Sequence, residues 1–377
     1  MVVALVLAAV PAARAADPPP LPARAQLIAD RAQFLRLAEE GLVTTKKLWW
    51  NEKRGWYDDR LENTDRLPLA TLWSIYPLFE ATNAVAVAHP TKANKARANW
   101  FAQQATKYWN AELKPVPGFG YYYTARGANW NAYMDDNGWW GLAYLDAYRA
   151  TGNKTWLTWA ARALRYMDVV GWDSKGGGGM WWDADQHKKT SEGLAAATLI
   201  AADLYRVTHR KPYLALAKKY LAWANAKTVN RRQGNLYGRS DTDGTVMNYV
   251  EGMFVAAHAE LCTATKVKAY CVKAQKLANA SLVHFPVLSD WAPETDVVYL
   301  RWMLDLYQRD KNARWYALVY ANAKRAAANA RDERGLWSKR WDGDWTKPGM
   351  LRTQAGTLAL LAWTATATPP VALKWRR

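Results

Sequence analysis

The sequence predicts an all-α fold in which six helical hairpins close into an (α/α)6 toroid. Two observations support it: apolar residues recur at helical spacing over about a dozen stretches, and long and short loops alternate between them. In a ring of hairpins the long loops emerge at one end, so the alternation places an active site at that mouth. A superhelical solenoid of helical pairs would show the same alternation. The sequence does not separate ring from solenoid.

The helical stretches follow from the i, i+3, i+4, i+7 spacing of apolar side chains, seen for example in Leu194, Ala197, Ala201 and Leu204. Strand-like alternation is scarce. In chain order, the predicted helices are 24–49, 68–88, 92–111, 135–151, 154–169, 187–208, 211–227, 244–264, 266–283, 293–309, 312–329 and 349–366.

The long loops are rich in glycine, aromatic and polar residues, and they occur at the spacing of helix pairs. They cover residues 54–60, 118–130, 176–183, 234–244 and 335–345. Connections such as 151–153 and 208–211 are short turns, which join antiparallel neighbours. We therefore expect the functional residues in or next to the long loops.

Residues 1–16 have the character of a signal peptide. The apolar run ends in Ala13-Arg14-Ala15, the small-residue pattern that signal peptidase accepts, and no basic residue precedes it, which is consistent with a start codon further upstream. A buried helix is the alternative, but the prolines at 18–20 would break it. We expect an exported protein, periplasmic or secreted. Because no linker divides residues 17–377, we expect one catalytic domain there.

The formal charge of +18 and a pI near 9.7 raise the question of a nucleic-acid partner. The Lys and Arg residues are scattered along the sequence, which favours a solvated basic surface and no nucleic-acid partner. No stretch after residue 16 is long and apolar enough for stable membrane insertion, and a monomer is expected. Cys262 and Cys271 either form a disulfide or are two buried thiols.

The chain has 23 Trp and 20 Tyr but only 6 Phe, an excess of aromatic side chains that carry a polar edge. A pyranose ring stacks its C–H face on such rings, while its hydroxyls need donors and acceptors nearby. Core packing is the alternative, and it accounts for many of these residues. Their concentration in glycine-rich loops favours a glycan groove and a polysaccharide substrate.

Asp135 and Asp136 stand where an aromatic loop enters an amphipathic helix. Neighbouring helical residues are splayed by about 100°, so both carboxyls can face one cavity at about 5 to 5.5 Å, the separation typical of retaining glycosidases. The helix N-terminus stabilises one carboxylate, and repulsion raises the pKa of the other, as a nucleophile and an acid require. Alternatively, Asp135 only caps the helix and Asp136 supports its dipole.

The segments 135–143, 151–153, 171–173 and 177–182 together resemble glycoside hydrolase family 76, the endo-α-1,6-mannanases and related cell-wall transglycosylases. The resemblance implies an (α/α)6 barrel, retaining hydrolysis of α-1,6-mannosidic bonds, Asp135 as nucleophile and Asp136 as acid/base. The residues alone do not order these two roles. The candidate substrate-binding residues are Tyr133, Asn137, Trp139, Trp140, Trp181, Trp182, Tyr249 and Glu251. Trp139 and Trp140 cannot both face the groove.

The chain departs from the family where Val250 and Glu251 replace Asn-Gln and where Glu192 replaces Asn. Carboxylates accept but cannot donate hydrogen bonds, so the sugar need not be mannose. A transglycosylase, a non-catalytic glycan-binding protein, and an epimerase or lyase with a His or Tyr proton-transfer pair are the alternatives. The five His are isolated from one another in the sequence and no metal motif occurs, so we expect no catalytic metal and no cofactor.

Overall fold

Twelve α-helices make up most of the computed structural model, which describes residues 17–62, 69–124, 132–285, 288, 292–343 and 349–372. The signal-peptide candidate, residues 1–16, lies outside them. The helices are α1 Arg24–Trp49, α2 Leu72–Ala88, α3 Lys92–Ala105, α4 Met134–Thr151, α5 Thr155–Tyr166, α6 Ser191–Thr208, α7 Lys211–Lys227, α8 Asn248–Thr265, α9 Lys268–His284, α10 Pro293–Asp310, α11 Ala313–Asn329 and α12 Leu351–Thr366.

The even-numbered helices form a closed inner ring. Each of α2, α4, α6, α8 and α10 packs on the next, and α12 packs on both α10 and α2. The odd-numbered helices lie outside, each against the inner helix that precedes or follows it in the chain. Closure between α2 and α12 excludes the open solenoid. The predicted (α/α)6 toroid is confirmed.

How much of a helix is buried depends on whether the helix lies in the inner ring or outside it. An inner helix has neighbours on nearly all sides, and in α6 every residue from Ser191 to Leu204 is buried. In α7, an outer helix, only Ala217, Tyr220, Leu221 and Ala224 are buried, at the spacing of a single stripe. The stripe packs on the inner ring and leaves the rest of α7 facing solvent.

All inner helices begin at the same end of the ring. Each outer helix leads through a long loop to the start of an inner helix, and each inner helix leads through a short turn to the next outer helix. Four short turns begin with a left-handed residue that ends the inner helix: Gly152, His209, Lys266 and Lys311, with φ between 56° and 75°. The mouth therefore collects the N-termini of the inner helices, where the helix dipoles favour negative charge.

Three short antiparallel hairpins lie in the described parts of the long loops. They pair β1 Trp50–Asn51 with β2 Trp56–Tyr57, β3 Trp109–Asn110 with β4 Gly118–Phe119, and β5 Val229–Asn230 with β6 Leu236–Tyr237. The predicted helix 92–111 is too long, since α3 ends at Ala105 and the chain continues through one 3-10 turn into β3. Pairing with β4 replaces the helical hydrogen bonds there.

A cluster of buried ion pairs fills the ring from the middle of the inner helices toward their C-termini. Arg301 of α10 lies 2.7 Å from Glu80 of α2 and also contacts Asp146 of α4. Its guanidinium lies 4.0 Å from the centre of the Trp302 ring and 4.2 Å from that of Trp363. Further ion pairs join α4, α6, α8 and α10 through Arg149, Asp203, Arg206, Glu260, Asp305 and Arg309.

Cys262 near the end of α8 and Cys271 in α9 form a disulfide, with their Cα atoms 5.3 Å apart. Of the two alternatives, the structure therefore has the pair and not two thiols. The described helices include none with the length and apolar character that a bilayer crossing requires.

Candidate active site

A cavity of about 660 Å³ opens at the mouth of the ring. It is bounded by the first turns of inner helices and by the loops between them. Its lining residues are Trp73, Tyr121, Tyr122, Tyr133, Asp135, Asp136, Trp139, Trp182, Glu192, Arg239, Tyr249 and Thr295.

Equivalent positions of successive inner helices line the cavity. The second residue of α2, α4, α6 and α8 lines it in each case, and these residues are Trp73, Asp135, Glu192 and Tyr249. In α10 the third residue, Thr295, takes this place. Side chains in a helix lean toward its N-terminus, so the first turn projects into the mouth. The ring thus brings together residues that are far apart in sequence.

Asp135 accepts two hydrogen bonds, one at each carboxyl oxygen. The backbone N–H of Asp136 donates to Oδ1 at 3.0 Å, and the indole N–H of Trp182 donates to Oδ2 at 3.3 Å. The N-cap of α4 is Tyr133, so Asp135 does not take the capping position. Both donors and the helix N-terminus stabilise the ionised carboxylate.

Asp136 is almost fully buried, and its Oδ2 has no hydrogen-bond partner among the described residues. Burial and the neighbouring Asp135 carboxylate raise the pKa of Asp136 well above its ordinary value. Burial and the Glu192 carboxylate raise the pKa of Asp135 to about 7. Because both oxygens of Asp135 accept hydrogen bonds, whereas Oδ2 of Asp136 accepts none from the described residues, the single negative charge of the pair belongs on Asp135, and Asp136 keeps its proton.

Trp182 is held over Asp135 by backbone contacts between its loop and the start of α4. The N–H of Met134 donates to the carbonyl of Trp182 at 2.8 Å, and Tyr133 forms a β-bridge with Asp183. The rings of Tyr133 and Trp182 are 4.9 Å apart. The loop between α5 and α6 therefore supplies an aromatic wall beside the carboxyl pair.

A second aromatic wall runs across three inner helices. The ring of Trp139 in α4 lies 5.5 Å from Trp73, 5.2 Å from Tyr76 and 6.0 Å from Tyr249. Trp139 is 2 % exposed, so only an edge reaches the cavity. Such rings offer apolar surface for the C–H face of a sugar.

Glu192 and Arg239 form an ion pair inside the cavity, with Arg239 Nε 3.3 Å from Glu192 Oε1. Arg239 is placed by the backbone of its loop, because the N–H of Ser191 donates to the Arg239 carbonyl at 2.7 Å. The other oxygen of Glu192 is buried without a hydrogen-bond partner in the described structure. The pair therefore places an exposed guanidinium and a nearly buried carboxylate side by side in the cavity wall.

Two of the predicted groove residues lie instead in the core. Trp140 is fully buried, and its indole N–H donates to the Ala105 carbonyl at 3.2 Å. Asn137 is also fully buried; its amide bonds both backbone groups of Phe119, at 2.9 and 3.0 Å, and the carbonyl of Tyr133. Asn137 thus ties β4 to α4. The interpretation of both as groove residues does not fit these positions.

Glu251 and Trp181 also lie away from the cavity. Glu251 is fully buried and accepts the backbone N–H of Tyr237 at 2.5 Å, and burial raises its pKa well above the ordinary value. Trp181 is not among the residues that line the cavity, although its neighbour Trp182 is. Trp181 lies against Lys189, whose Nζ is 5.1 Å from the ring centre. Glu251 and Trp181 therefore have structural surroundings.

The cavity includes five lining residues that the sequence prediction did not name at all: Trp73, Tyr121, Tyr122, Arg239 and Thr295. A signal for three of them existed, because the two tyrosines and Arg239 lie in long loops assigned to the mouth. Trp73 and Thr295 carry no local signal. Only the repetition of first-turn positions around the ring identifies them.

The described residues show no metal-binding group and no histidine in the cavity wall. None of the five His residues lines the cavity, and the described residues contain no His, Cys, Asp and Glu group suited to a metal ion. Asp58 accepts hydrogen bonds from the Asn51 amide within the first hairpin. The mouth-loop residues Asp344 and Trp345 lie outside the described residues.

The sequence matches one family profile, and the fold is similar to those of solved structures. Residues 82–361 match the profile of glycosyl hydrolase family 76. The fold is similar to that of a GH76 alpha-mannanase from Bacteroides thetaiotaomicron, with a TM-score of 0.78 and 20 % identity over 90 % of this chain and 98 % of the other. The GH76A alpha-1,6-mannanase from Salegentibacter sp. HEL1_6 gives 0.70 and 19 % over 88 % and 99 %.

Two further comparisons show how far the similarity to known proteins extends. A cellobiose 2-epimerase from Bacillus thermoamylovorans has a similar fold, with a TM-score of 0.62 and 13 % identity over 88 % of this chain and 99 % of that one. No curated protein matches the sequence. The family profile covers well over half of the chain, and on that ground the chain belongs to glycosyl hydrolase family 76.

Proposed function

We propose that the protein is a retaining glycoside hydrolase that cuts α-1,6-linked mannan, or a related α-linked cell-surface polysaccharide, within the chain. The observation that carries this proposal is the adjacent pair Asp135 and Asp136 at the start of α4, inside a cavity walled by aromatic rings. Membership of the family supports the reaction class. The adjacency of the carboxyls supports retention, which needs a short separation.

The different surroundings of the two carboxyls support distinct roles. Asp135, the ionised partner, attacks the anomeric carbon and forms a covalent glycosyl ester, while Asp136 gives its proton to the departing glycosidic oxygen. Asp136 then takes a proton from water, and the water oxygen attacks the anomeric carbon and releases Asp135. At the end of the cycle Asp136 again carries its proton, and Asp135 is again an ionised carboxylate. This order agrees with the roles implied by the family resemblance.

Cleavage within a chain requires several sugar units to bind at once. Aromatic rings stand on both sides of the carboxyl pair, Trp182 on one loop and Trp73 with Trp139 on the inner helices. An inactive variant of the Salegentibacter alpha-1,6-mannanase is described in complex with alpha-1,6-mannotriose. The oligosaccharide complex of this relative supports an extended binding site here.

The positions of Glu251 and Glu192, the two glutamates that differ from the family sequence, bear differently on the identity of the sugar. Glu251 contacts the Tyr237 backbone and is not among the residues that line the cavity, so it supports no change of sugar. Glu192 does line the cavity, paired with Arg239. Arg239 supplies N–H donors beside the carboxylate, so the pair offers a sugar both a donor and an acceptor, as an amide would. We therefore keep mannose as the first substrate to test.

The test is hydrolysis of α-1,6-mannan by the wild type, Asp135→Asn and Asp136→Asn, with exposed Asp241→Asn as the matched control. We expect each of the first two variants to lose more than about 100-fold in kcat and the control to lose nothing. NMR of the first product should show the α-anomer. Near-wild-type turnover by either cavity variant would overturn the assignment, and a β-anomer would overturn retention.

Product sizes separate hydrolysis from transglycosylation, the alternative within the family. Products longer than the starting oligosaccharide would mean that a sugar hydroxyl, not water, accepts the glycosyl group. A glycan-binding protein without catalysis would bind mannan but leave it intact. The carboxyl pair, with one partner protonated, argues against that alternative because binding alone does not need it.

The proposal also places the mature enzyme outside the cytoplasm as a monomer. Residues 1–16 support export through their apolar run and small-residue cleavage pattern. N-terminal sequencing of the exported protein should begin near residue 16 or 17. Light scattering of the purified enzyme should give a mass close to that of one chain.

A further inference from the structure

Two neighbouring outer helices form a face without acidic residues. Residues 204–240 and 261–284, which include α7, the β5–β6 hairpin and α9, contain no Asp or Glu. We call these three elements, together with the short turns at residues 209–210 and 266–267, the α7–α9 face. Its exposed cations are Arg210, Lys211, Lys218, Lys227, Arg231, Arg232, Lys266, Lys268 and Lys276.

The face is continuous because the β5–β6 hairpin bridges the two helices. The hydroxyl of Tyr237 in β6 donates to the side-chain oxygen of Asn225 in α7 at 2.7 Å. On its other side, Lys273 Nζ of α9 lies 5.4 Å from the Tyr237 ring centre. Cations that are scattered along the sequence are thereby collected on one side of the ring.

The nine exposed cations form no ion pair within the described part of the chain, in contrast to Lys219, which is 2.6 Å from Asp168. Asp168 stands at one edge of the face. At the other edge, Asp310 accepts hydrogen bonds from Gln275 and from Trp315. No buried charge network uses these cations, so folding alone does not account for their density.

Exposed apolar side chains lie among the cations on α9 and immediately before it. Val267, Val272 and Val283 are 46–48 % exposed. Val272, Lys276 and Val283 follow at i, i+4 and i+11, which puts them on the same side of the helix. The 17 residues of α7 give the face a length of about 25 Å. Its pattern is a broad basic surface with small apolar projections.

We propose that the α7–α9 face docks the enzyme on an anionic lipid bilayer. The cations meet anionic headgroups, and the exposed valines enter the headgroup region without spanning the membrane. A nucleic acid would pair its phosphates with the cations, but it offers no apolar region for the valines to enter. The face runs from the short turns at Arg210 and Lys266 to the mouth-side hairpin at Arg231. On a bilayer the mouth therefore opens along the surface.

Vesicle sedimentation tests this docking with the full-length mature enzyme. The test variant replaces Lys218, Lys227, Lys268 and Lys276 with Gln. The matched control replaces Lys47, Lys53, Lys92 and Lys95, four exposed lysines next to or within α1 and α3, on the opposite side of the ring. Both variants lower the net charge by the same four units, and neither changes a cavity residue.

We expect the wild type and the control to bind vesicles with about 30 % phosphatidylglycerol, and not vesicles of phosphatidylcholine alone. The test variant should bind the anionic vesicles about 600-fold more weakly, since each of its four replaced lysines contributes about fivefold near the surface. Added salt should weaken wild-type binding. Hydrolysis of a soluble oligosaccharide should be equal in all three proteins.

Equal loss of vesicle binding in the test and control variants would overturn the proposal, because net charge and not the α7–α9 face would then be responsible. Absence of wild-type binding to the anionic vesicles would also overturn it. Tighter binding to a DNA duplex than to these vesicles at the same ionic strength would overturn the choice of lipid. None of these outcomes bears on the glycosidase proposal.

Discussion

The indole N–H of Trp182 points at Oδ2 of Asp135, with 3.3 Å between the two heavy atoms. The contact joins the loop that precedes α6 to the first turn of α4. It stabilises the charged form of Asp135 in a cavity where burial opposes that charge. Trp182 thus has two expected functions: it presents a ring to the sugar and keeps the neighbouring carboxylate ionised.

Replacing Trp182 with Phe should keep the aromatic wall but remove the donor. Loss of the hydrogen bond raises the pKa of Asp135, so the fraction ionised at neutral pH falls. The acidic limb of the kcat/KM profile should move to higher pH by about half a unit to one unit. Trp181→Phe is the control, because Trp181 lies outside the cavity. An unmoved limb in Trp182→Phe would show that the contact does not tune Asp135.

Replacing Glu192 with Gln should move the same limb in the opposite direction. The Glu192 carboxylate raises the pKa of Asp135, so its removal lowers that pKa and extends activity to lower pH, by about one unit. Glu294→Gln is the control, since Glu294 is the second residue of α10 but pairs with Arg352, 3.0 Å away, outside the cavity. A shift of equal size in both variants would contradict a specific effect of Glu192.

Trp139 and Trp140 should respond differently to the same substitution. Trp139→Phe removes part of the cavity wall and should raise KM for an oligosaccharide by about tenfold. Trp140→Phe leaves the buried Ala105 carbonyl without its donor and should lower the free energy of unfolding by about 1–3 kcal/mol. Urea denaturation and Michaelis kinetics measure the two effects. A raised KM in Trp140→Phe alone would contradict the core position of Trp140.

Arg301 should be essential for stability although it is remote from the cavity. Arg301→Met leaves the buried carboxylates of Glu80 and Asp146 without this partner, at a cost of about 3–5 kcal/mol. Arg36→Met is the control, because Arg36 is exposed and lies 3.8 Å from an exposed Glu40, a pair worth less than about 1 kcal/mol. Equal urea midpoints for the two variants would contradict a structural function of the buried cluster.

Much of the site could be predicted from the sequence because it depends on local order. Asp135 and Asp136 follow an aromatic loop and begin an amphipathic helix, and that is enough to place both carboxyls at a helix start. Tyr133 and Trp182 lie in or beside long loops, which the alternation of loop lengths assigns to the mouth. The structure finds all four on the cavity wall.

Side-chain orientations that depend on long-range packing could not be predicted in this way. Trp140 follows Trp139 directly, yet a turn of about 100° takes its indole into the core against Ala105. Glu251 lies two residues after Tyr249, on the side of α8 that meets the β5–β6 hairpin. The local sequence does not indicate which side of a helix the neighbouring elements will cover.

The sequence by itself determined most of the helix positions, the end of the helical hairpins at which the cavity lies, and the two carboxyls at the start of α4. These depend on helical periodicity, on loop length and on the order of adjacent residues. Tertiary structure alone decided that α12 closes on α2, that Arg239 reaches Glu192, and that the cations of α7 and α9 form one face. Each of these depends on contacts between elements distant in sequence, which local periodicity cannot specify.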